Sequence, residues 1–407
     1  MTAPSSPSAP SPPASPPALA AQVQRVQQLG AALQQQFLAK EETIRLLLIS
    51  VVAGEHMLLI GPPGTAKSAL VRTLARQISA RYFEYLLTRF SEPNELLGPV
   101  DIRAFREGSY RRRTESMLPT AEIVFLDEIF KASSAILNSL LTLLNERRIH
   151  IGAERIDAPL LALFAASNEV PTDDSLAALL DRFLLRVRSH NLDSFHFHRL
   201  VQVGLQHERR LLLGAEAAPE EAPPLLGTAD LLQLRWTLTD RLRFSEEFLA
   251  SYKALIGQIR GEGIALSDRR AVKLLKLCAA SALIDGREQA DEGDLFLLAH
   301  TWNSPEQSEI LEGIVAPICQ RFRREHPEQK GRPPGSAGLP EILAELQEVR
   351  GRLQAAAGLS DVQLFAQLRT LGELRAALAE LPSDASRRVL QEIEALLESV
   401  YSSGRLG

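Results

Sequence analysis

The chain has 407 residues, enough for two or three domains that each bury a core. With 45% hydrophobic and 23% charged residues its composition is that of an ordinary soluble protein, and a formal charge of -5 excludes a strongly basic nucleic-acid protein while leaving room for a local basic patch. The two cysteines, Cys278 and Cys319, fall in helical patterns and read as small buried thiols of a reducing compartment.

In chain order, the first stretch is MTAPSSPSAPSPPASPPALA (1–20). It has no early Lys or Arg and no apolar core, so it does not read as a secretory signal. Its Pro, Ser and Ala bias predicts a disordered tail. No run approaches the roughly 18 apolar residues of a membrane span, and the expected location is cytoplasmic. From Ala21 to about His190 helical and strand patterns alternate. IRLLLISVVAGEH has helical spacing, MLLI (57–60) is a short buried strand, and SALVRTLARQIS is a helix. FEYLLT, EIVFLDEI and LLALFAASN are further strands, with the helix ILNSLLTLLNE before the last. Short continuous apolar strands separated by helices predict a parallel sheet covered on both faces, an α/β core over 21–193. Helical patterns alone follow, predicting an all-α domain over 194–305 that is interrupted by GAEAAPEEAPPLLG. HPEQKGRPPGSAGLP (326–340) reads as a linker within a C-terminal region, 306–407. Beyond it three amphipathic stripes, around Leu346, Leu371 and Ile393, predict a small helical bundle.

Five motifs carry chemistry. GPPGTAKS (61–68) fits G-x-x-x-x-G-K-[ST] between a strand and a helix. Such spacing lets the backbone N–H groups of Gly61, Pro62, Pro63, Gly64, Thr65, Ala66 and Ala69, prolines excepted, wrap phosphates at a positive helix end. Lys67 then reaches the β- and γ-phosphates, and Ser68 offers its hydroxyl to Mg²⁺. IVFLDE (123–128) is a buried strand with two carboxylates at its C-terminal end, where open parallel sheets bind ligands. Asp127 suits Mg²⁺, and Glu128 suits the proton of the attacking water. Asn168 ends LLALFAASN and is read as orienting that water or contacting the γ-phosphate, with a turn-capping role as the other reading. Arg182, in LLDRFLLR, follows a carboxylate and precedes what reads as an apolar helix face. It either pairs with Asp181 at the surface or reaches a neighbouring subunit's γ-phosphate. SDRRAVKLLKL adds Arg269 and Arg270 at a helix start, where a cation opposes the helix dipole unless a phosphate partners it.

In this order the motifs resemble the AAA+ ATPases: an αβα parallel-sheet core, an all-α lid and, here, a C-terminal helical bundle. The chain is more narrowly similar to the MoxR group and its RavA-like regulatory ATPases, through FEYLLTRFSEPNELLGPVDIRAF, EIVFLDEIFKASSAILNSLLTLLNERR, FAASNEVP, DRFLLR and LSDRRAVKLLK. The resemblance implies that Lys67 and Ser68 are the Walker A pair, Asp127 and Glu128 Walker B, Asn168 sensor 1, and Arg182 the arginine finger. Sensor 2 falls on Arg269, with Arg270 as the alternative. It further implies ATP and Mg²⁺, a homohexameric ring with Arg182 acting in trans, a von Willebrand factor A domain adaptor, and a client complex that the sequence does not name. No nucleic-acid partner is expected, because basic residues are not interleaved with aromatics. The competing readings are a magnesium-chelatase-like metal-insertion motor and a nucleic-acid motor. Two insertions fit the chelatase-related branch: the basic Gly98–Pro119 stretch, with Arg103, Arg106, Arg111, Arg112 and Arg113, and a hairpin over Arg147–Pro159. RFSEPNELLG lacks the aromatic–apolar–glycine loop of threading unfoldases, which argues against polypeptide threading.

Overall fold

The computed structural model describes residues 16–151, 154–171, 176–191, 223–326 and 384–402, with scattered helical positions between 201 and 209 and between 343 and 378. The first helix, α1 (Pro16–Gln36), starts inside the stretch expected to be a disordered tail. Prolines are tolerated in a first helical turn because their missing N–H groups have no partner there. Val23, Val26, Leu29 and Leu33 then recur on one buried stripe that ties the helix down. Residues 1–15 of that stretch lie outside the described residues.

After α2 (Glu41–Ala53) the chain enters β1 (His56–Ile60), whose five residues are all buried. It continues through α3 (Lys67–Gln77), β2 (Tyr82–Leu86) and two short helices, α4 (Pro93–Leu97) and α5 (Ile102–Arg106). Next come β3 (Ile123–Asp127), α6 (Ser134–Glu146) and a two-stranded antiparallel hairpin of β4 (Arg148–Ile151) and β5 (Glu154–Asp157). β6 (Ala162–Ser167), the short α7 (Ala177–Leu180) and β7 (Phe183–Arg188) complete this half. The main sheet has the order β2-β3-β6-β1-β7, and every pairing in it is parallel. With all strands running one way, β1, β3 and β6 deliver their next residues to one common edge.

β7 is a correction to the sequence reading, which placed a helix face after Arg182. FLLRVR forms a strand beside β1, with Leu185 opposite Met57 and Arg188 opposite Ile60. A short, nearly continuous apolar run has no periodicity that separates a buried strand from a buried helix.

The helices α8 (Thr228–Arg241), α9 (Glu246–Gly261), α10 (Asp268–Ile284) and α11 (Gln307–Glu325), with a 3-10 helix at Glu292–His300, follow. They share one apolar core with the sheet, in a compact unit spanning 43–191 and 222–330 together with α1. The sequence boundary at 305 therefore differs from the contacts. Leu311, Val315 and Cys319 of α11 are buried in that shared core, and α11 packs on the 3-10 helix.

A buried ion cluster links the sheet's lower edge to α10. Glu55 is 3% exposed and accepts from Lys273 at 2.8 Å and also from Lys276. Burial alone would raise the Glu55 carboxyl, but the two ammonium groups outweigh it and hold it below the usual carboxylate range. Because the folded value is depressed, this contribution to stability is present above the ordinary carboxylate range and is lost as pH falls through the lowered value. Glu55→Gln is expected to destabilise by about 2 kcal/mol, less than a fully buried pair because the lysines stay partly exposed. Urea midpoints at neutral pH should register that loss, and at about pH 3 the difference from the parent should shrink.

A second unit, which includes 331–407, has its own small core of Leu346, Val349, Leu371, Leu374, Leu378, Val389 and Ile393. Val389 and Ile393 belong to α12 (Asp384–Ser402), and the three expected apolar stripes pack on each other there. Of the linker read over 326–340 all but His326, and of the loop read over 214–227 the stretch 214–222, lie outside the described residues.

Candidate active site

β1 hands the chain to the phosphate loop at Gly61, whose N–H donates to Ser167 O at 3.0 Å. A Cβ at Gly61 would sit 2.0 Å from Ser189 O, so only glycine lets the loop leave between the ends of β6 and β7. Gly64 (φ 81°) and Ala66 (φ 61°) are both left-handed, which curls successive N–H groups toward one concave side. Thr65 Oγ1 donates to Pro62 O at 3.1 Å and pins the loop, while Pro62 and Pro63 stay exposed. No side chain caps α3, so its first-turn N–H groups remain directed at whatever the loop encloses. Lys67 Nζ donates to Gly61 O at 2.7 Å and Pro62 O at 2.9 Å. Burial lowers its ammonium, against the opposing pull of Asp127 and Glu128.

The carboxylates arrive on β3. Asp127 pairs with Leu86 at the last step of the β2–β3 ladder, and its Oδ1 accepts from Glu128 N at 2.9 Å. Glu128 itself is left-handed (φ 52°), a conformation a non-glycine residue holds only where its surroundings impose it. Asn168, just past β6, donates through Nδ2 to Glu128 Oε1, and Lys131 Nζ lies 3.4 Å from the same oxygen. Lys67, Ser68, Asp127, Glu128 and Asn168 thus converge at the C-terminal edge of three adjacent strands. Among the described residues no group of three or more His, Cys, Asp or Glu side chains forms a metal cluster. One hydroxyl and one carboxylate suit Mg²⁺, which takes one or two protein oxygens and completes its shell with water and phosphate. Ser68 and Asp127 would hold it, and it would neutralise charge on the β- and γ-phosphates.

Arg182 lies elsewhere. It immediately precedes Phe183, which pairs with His56 at the start of β1. Between the levels of His56 and Gly61 the sheet is roughly 17 Å long, further than an arginine side chain spans. Arg182 Nη1 donates to Asp181 Oδ2 at 3.0 Å, and its Nε is buried without a partner. Burial and the neighbouring Arg269 both lower this guanidinium, with Asp181 opposing them.

The two arginines of SDRR separate cleanly. Arg269 is exposed, donating to Asn145 Oδ1 at 2.9 Å. Arg270 is 2% exposed and donates to Thr301 O at 2.8 Å and Asn303 Oδ1 at 3.0 Å. Burial draws Arg270 down to about 10, with Asp181 opposing. The helical spacing carried this signal, because Arg270 shares the buried stripe of Leu274, Leu277 and Ser281. Sequence reasoning missed Arg186, fully buried in β7, which donates to the backbone of Leu180, Thr301 and Trp302. Nothing in an apolar strand pattern announces a guanidinium whose Nη groups donate to carbonyls.

The first insertion is a compact excursion closed by the bridge Val100–Arg112, with Asp101 capping α5 through Arg103 N and Ala104 N. Arg112 ties its base to Asn94 and Gly98, while Ile102 and Phe105 are bare at its tip. Phe90, beyond β2, is 91% exposed: an aromatic stands at the place where the longer gripping motif was missing.

A model of the MoxR domain in MoxR–vWA–β-propeller ternary systems matches residues 24–222, and an AAA lid domain matches 247–315. The chain is 37% identical over 289 residues to the uncharacterised protein MJ0812 of Methanocaldococcus jannaschii, covering 70% of this chain and 74% of that one. The chain belongs to the MoxR group of AAA+ ATPases. Chaperone MoxR1 of Mycobacterium tuberculosis is 26% identical over 203 residues, 48% of this chain and 49% of that protein. A crystal structure of a candidate ATPase from Cytophaga hutchinsonii shares the fold, with a TM-score of 0.59, 20% identity, and coverage of 75% of this chain and 96% of that one. The phosphate loop and the two carboxylates share one sheet edge, and no helix among the described residues is long and apolar enough to cross a membrane.

Proposed function

We propose that the chain hydrolyses ATP with Mg²⁺ at seams between identical protomers of a ring, a homohexamer, and uses the turnover to remodel or assist assembly of a partner complex. The observation that carries this is the polarity of the sheet. Its C-terminal edge holds Lys67, Ser68, Asp127, Glu128 and Asn168, while Arg182 precedes the strand at the other end. A protomer's own Arg182 is out of reach of its own phosphate loop, so the finger is useful only to a neighbour. Glu128 accepts the proton of the attacking water, Asn168 orients Glu128 and that water, and Arg182 with Arg269 stabilises charge on the terminal phosphate. The exposure of Arg269, against the burial of Arg270 with its Nη groups on Thr301 O and Asn303 Oδ1, favours Arg269 for this contact. A heterologous contact of this kind closes into a ring when its rotation allows.

The matched domain takes its name from systems that contain a vWA component, which supports a von Willebrand factor A domain protein as adaptor. The RavA-like motifs point the same way, and a cytoplasmic setting goes with that reading. Lys67→Ala is expected to weaken binding of a fluorescent ATP analogue at least about a hundredfold, since it removes the charge on the β- and γ-phosphates. Unchanged anisotropy titrations would contradict the assignment. Phosphate release that needs both ATP and Mg²⁺, from a species sedimenting as a ring, is the direct test of the whole reading.

A further inference from the structure

Asp181 connects two parts of the edge that carries Arg182. Its Oδ2 accepts from Arg182 Nη1 at 3.0 Å, and its Oδ1 accepts from Ser267 Oγ at 3.0 Å. Ser267 is the N-cap of α10, where its Oγ also accepts from Arg270 N at 3.3 Å. One hydroxyl can serve both bonds, donating to the carboxylate while its lone pair receives the backbone N–H. A continuous hydrogen-bonded chain therefore runs from Arg182 through Asp181 to the first turn of the helix that bears Arg269.

Charge makes Asp181 more than a surface partner. Arg182 and Arg269 repel each other, and the buried Arg186 and Arg270 stand close enough for the same carboxylate to act on both. The nearby Arg260 has a counter-charge of its own in Asp268, at 2.7 Å. An open cleft of about 690 Å³, lined by Leu180, Asp181, Arg260, Ser267, Arg270 and Asn303, lies beside the Asp181 carboxylate. The guanidinium of Arg182 bonds to Asp181, which ties its aim to what Asp181 holds.

We propose that Asp181 is a positioning residue that couples the direction of Arg182 to the placement of the α10 N-terminus, so that Arg182 and Arg269 meet a single terminal phosphate of the neighbouring protomer together. This rests on the reading of Arg182 as acting across the seam. When that phosphate approaches, its oxygens take over the bond that Arg182 makes to Asp181. Asp181 keeps its bond from Ser267, and its charge continues to offset Arg186 and Arg270. Without the carboxylate, Arg269 drives Arg182 off line, and movement of α10 no longer reaches it.

The test uses Asp181→Asn and Ser267→Ala in the full chain, each made with Arg182 intact and with Arg182→Ala, and read by steady-state and single-turnover phosphate release. Asp181→Asn preserves shape and one acceptor but loses the charge. It is expected to lower kcat about 10- to 100-fold with KM for ATP within about twofold. Ser267→Ala, which touches no charge, is expected to lower kcat about fivefold, and it carries the test should the first variant fold poorly. In the Arg182→Ala background neither change should lower single-turnover release further, because both act through Arg182. Parent-like kcat in both single variants overturns the proposal, as does an equal loss with and without Arg182. Parent-like turnover in Arg182→Ala alone is a separate result, and it removes the seam reading itself.

Discussion

Glu128→Gln is expected to slow ATP turnover about a thousandfold while nucleotide affinity stays within about twofold of the parent's. The substitution is nearly isosteric and keeps an oxygen for the Asn168 Nδ2 donor, so the loop and the Asn168 contact survive. What disappears is the basic oxygen that the proposed reaction assigns to the proton of the attacking water. A thousandfold corresponds to about 4 kcal/mol of barrier, within the range of one positioned general base. The left-handed backbone at Glu128 gives a structural reason to look here, since a side chain held at φ 52° at the exit of β3 is aimed rather than incidental. Steady-state phosphate release beside an equilibrium titration with an ATP analogue separates the two effects. Turnover within tenfold of the parent would remove Glu128 from the role of base.

Arg182→Ala is expected to cost about 10³ in turnover and little in folding. Its one ion pair among the described residues is with Asp181, its immediate neighbour, and a partly exposed pair of that kind contributes at most about 1 kcal/mol. The repulsion from Arg269 leaves positive charge unspent in the isolated protomer. An incoming polyphosphate would offset it. Arg182→Lys is expected to recover little, because lysine keeps the charge but lacks the planar fork that matches phosphate oxygens. Thermal melts of both variants should overlay the parent's. A large fall in melting temperature, in step with the loss of activity, would mark Arg182 as a structural residue.

The parts of this protein that were legible in its sequence are those where chemistry dictates residue type at fixed spacing. A loop that must wrap phosphates needs Gly61 and Gly64 and ends on Lys67, and a carboxylate at a strand exit is visible as an apolar run stopping at Asp127. The hairpin of β4 and β5 was legible for the same reason, from a turn between alternating residues. β7 was not, because its apolar residues are buried on both faces and Arg186 breaks the run with a charge that carbonyls satisfy out of sequence order. The start of α1 was hidden by composition: Pro-rich and Ala-rich residues look disordered until a buried stripe further along fixes the helix. Asp181 read as a mere surface partner because its second bond goes to Ser267, 86 positions away. Contacts of that length leave no local pattern.

The measurement that tests the composite site most directly is ATP turnover by mixed assemblies of Lys67→Ala and Arg182→Ala chains, carrying two different tags and purified through both. Each variant alone is expected to be nearly inert, one for want of a phosphate grip and the other for want of the finger. Where a Lys67→Ala protomer presents its intact Arg182 to an Arg182→Ala protomer's intact loop, one complete site is restored. Random mixing then returns up to about a quarter of the parent's rate. Mixed assemblies that turn over ATP no faster than the two variants measured apart would contradict a site shared between protomers.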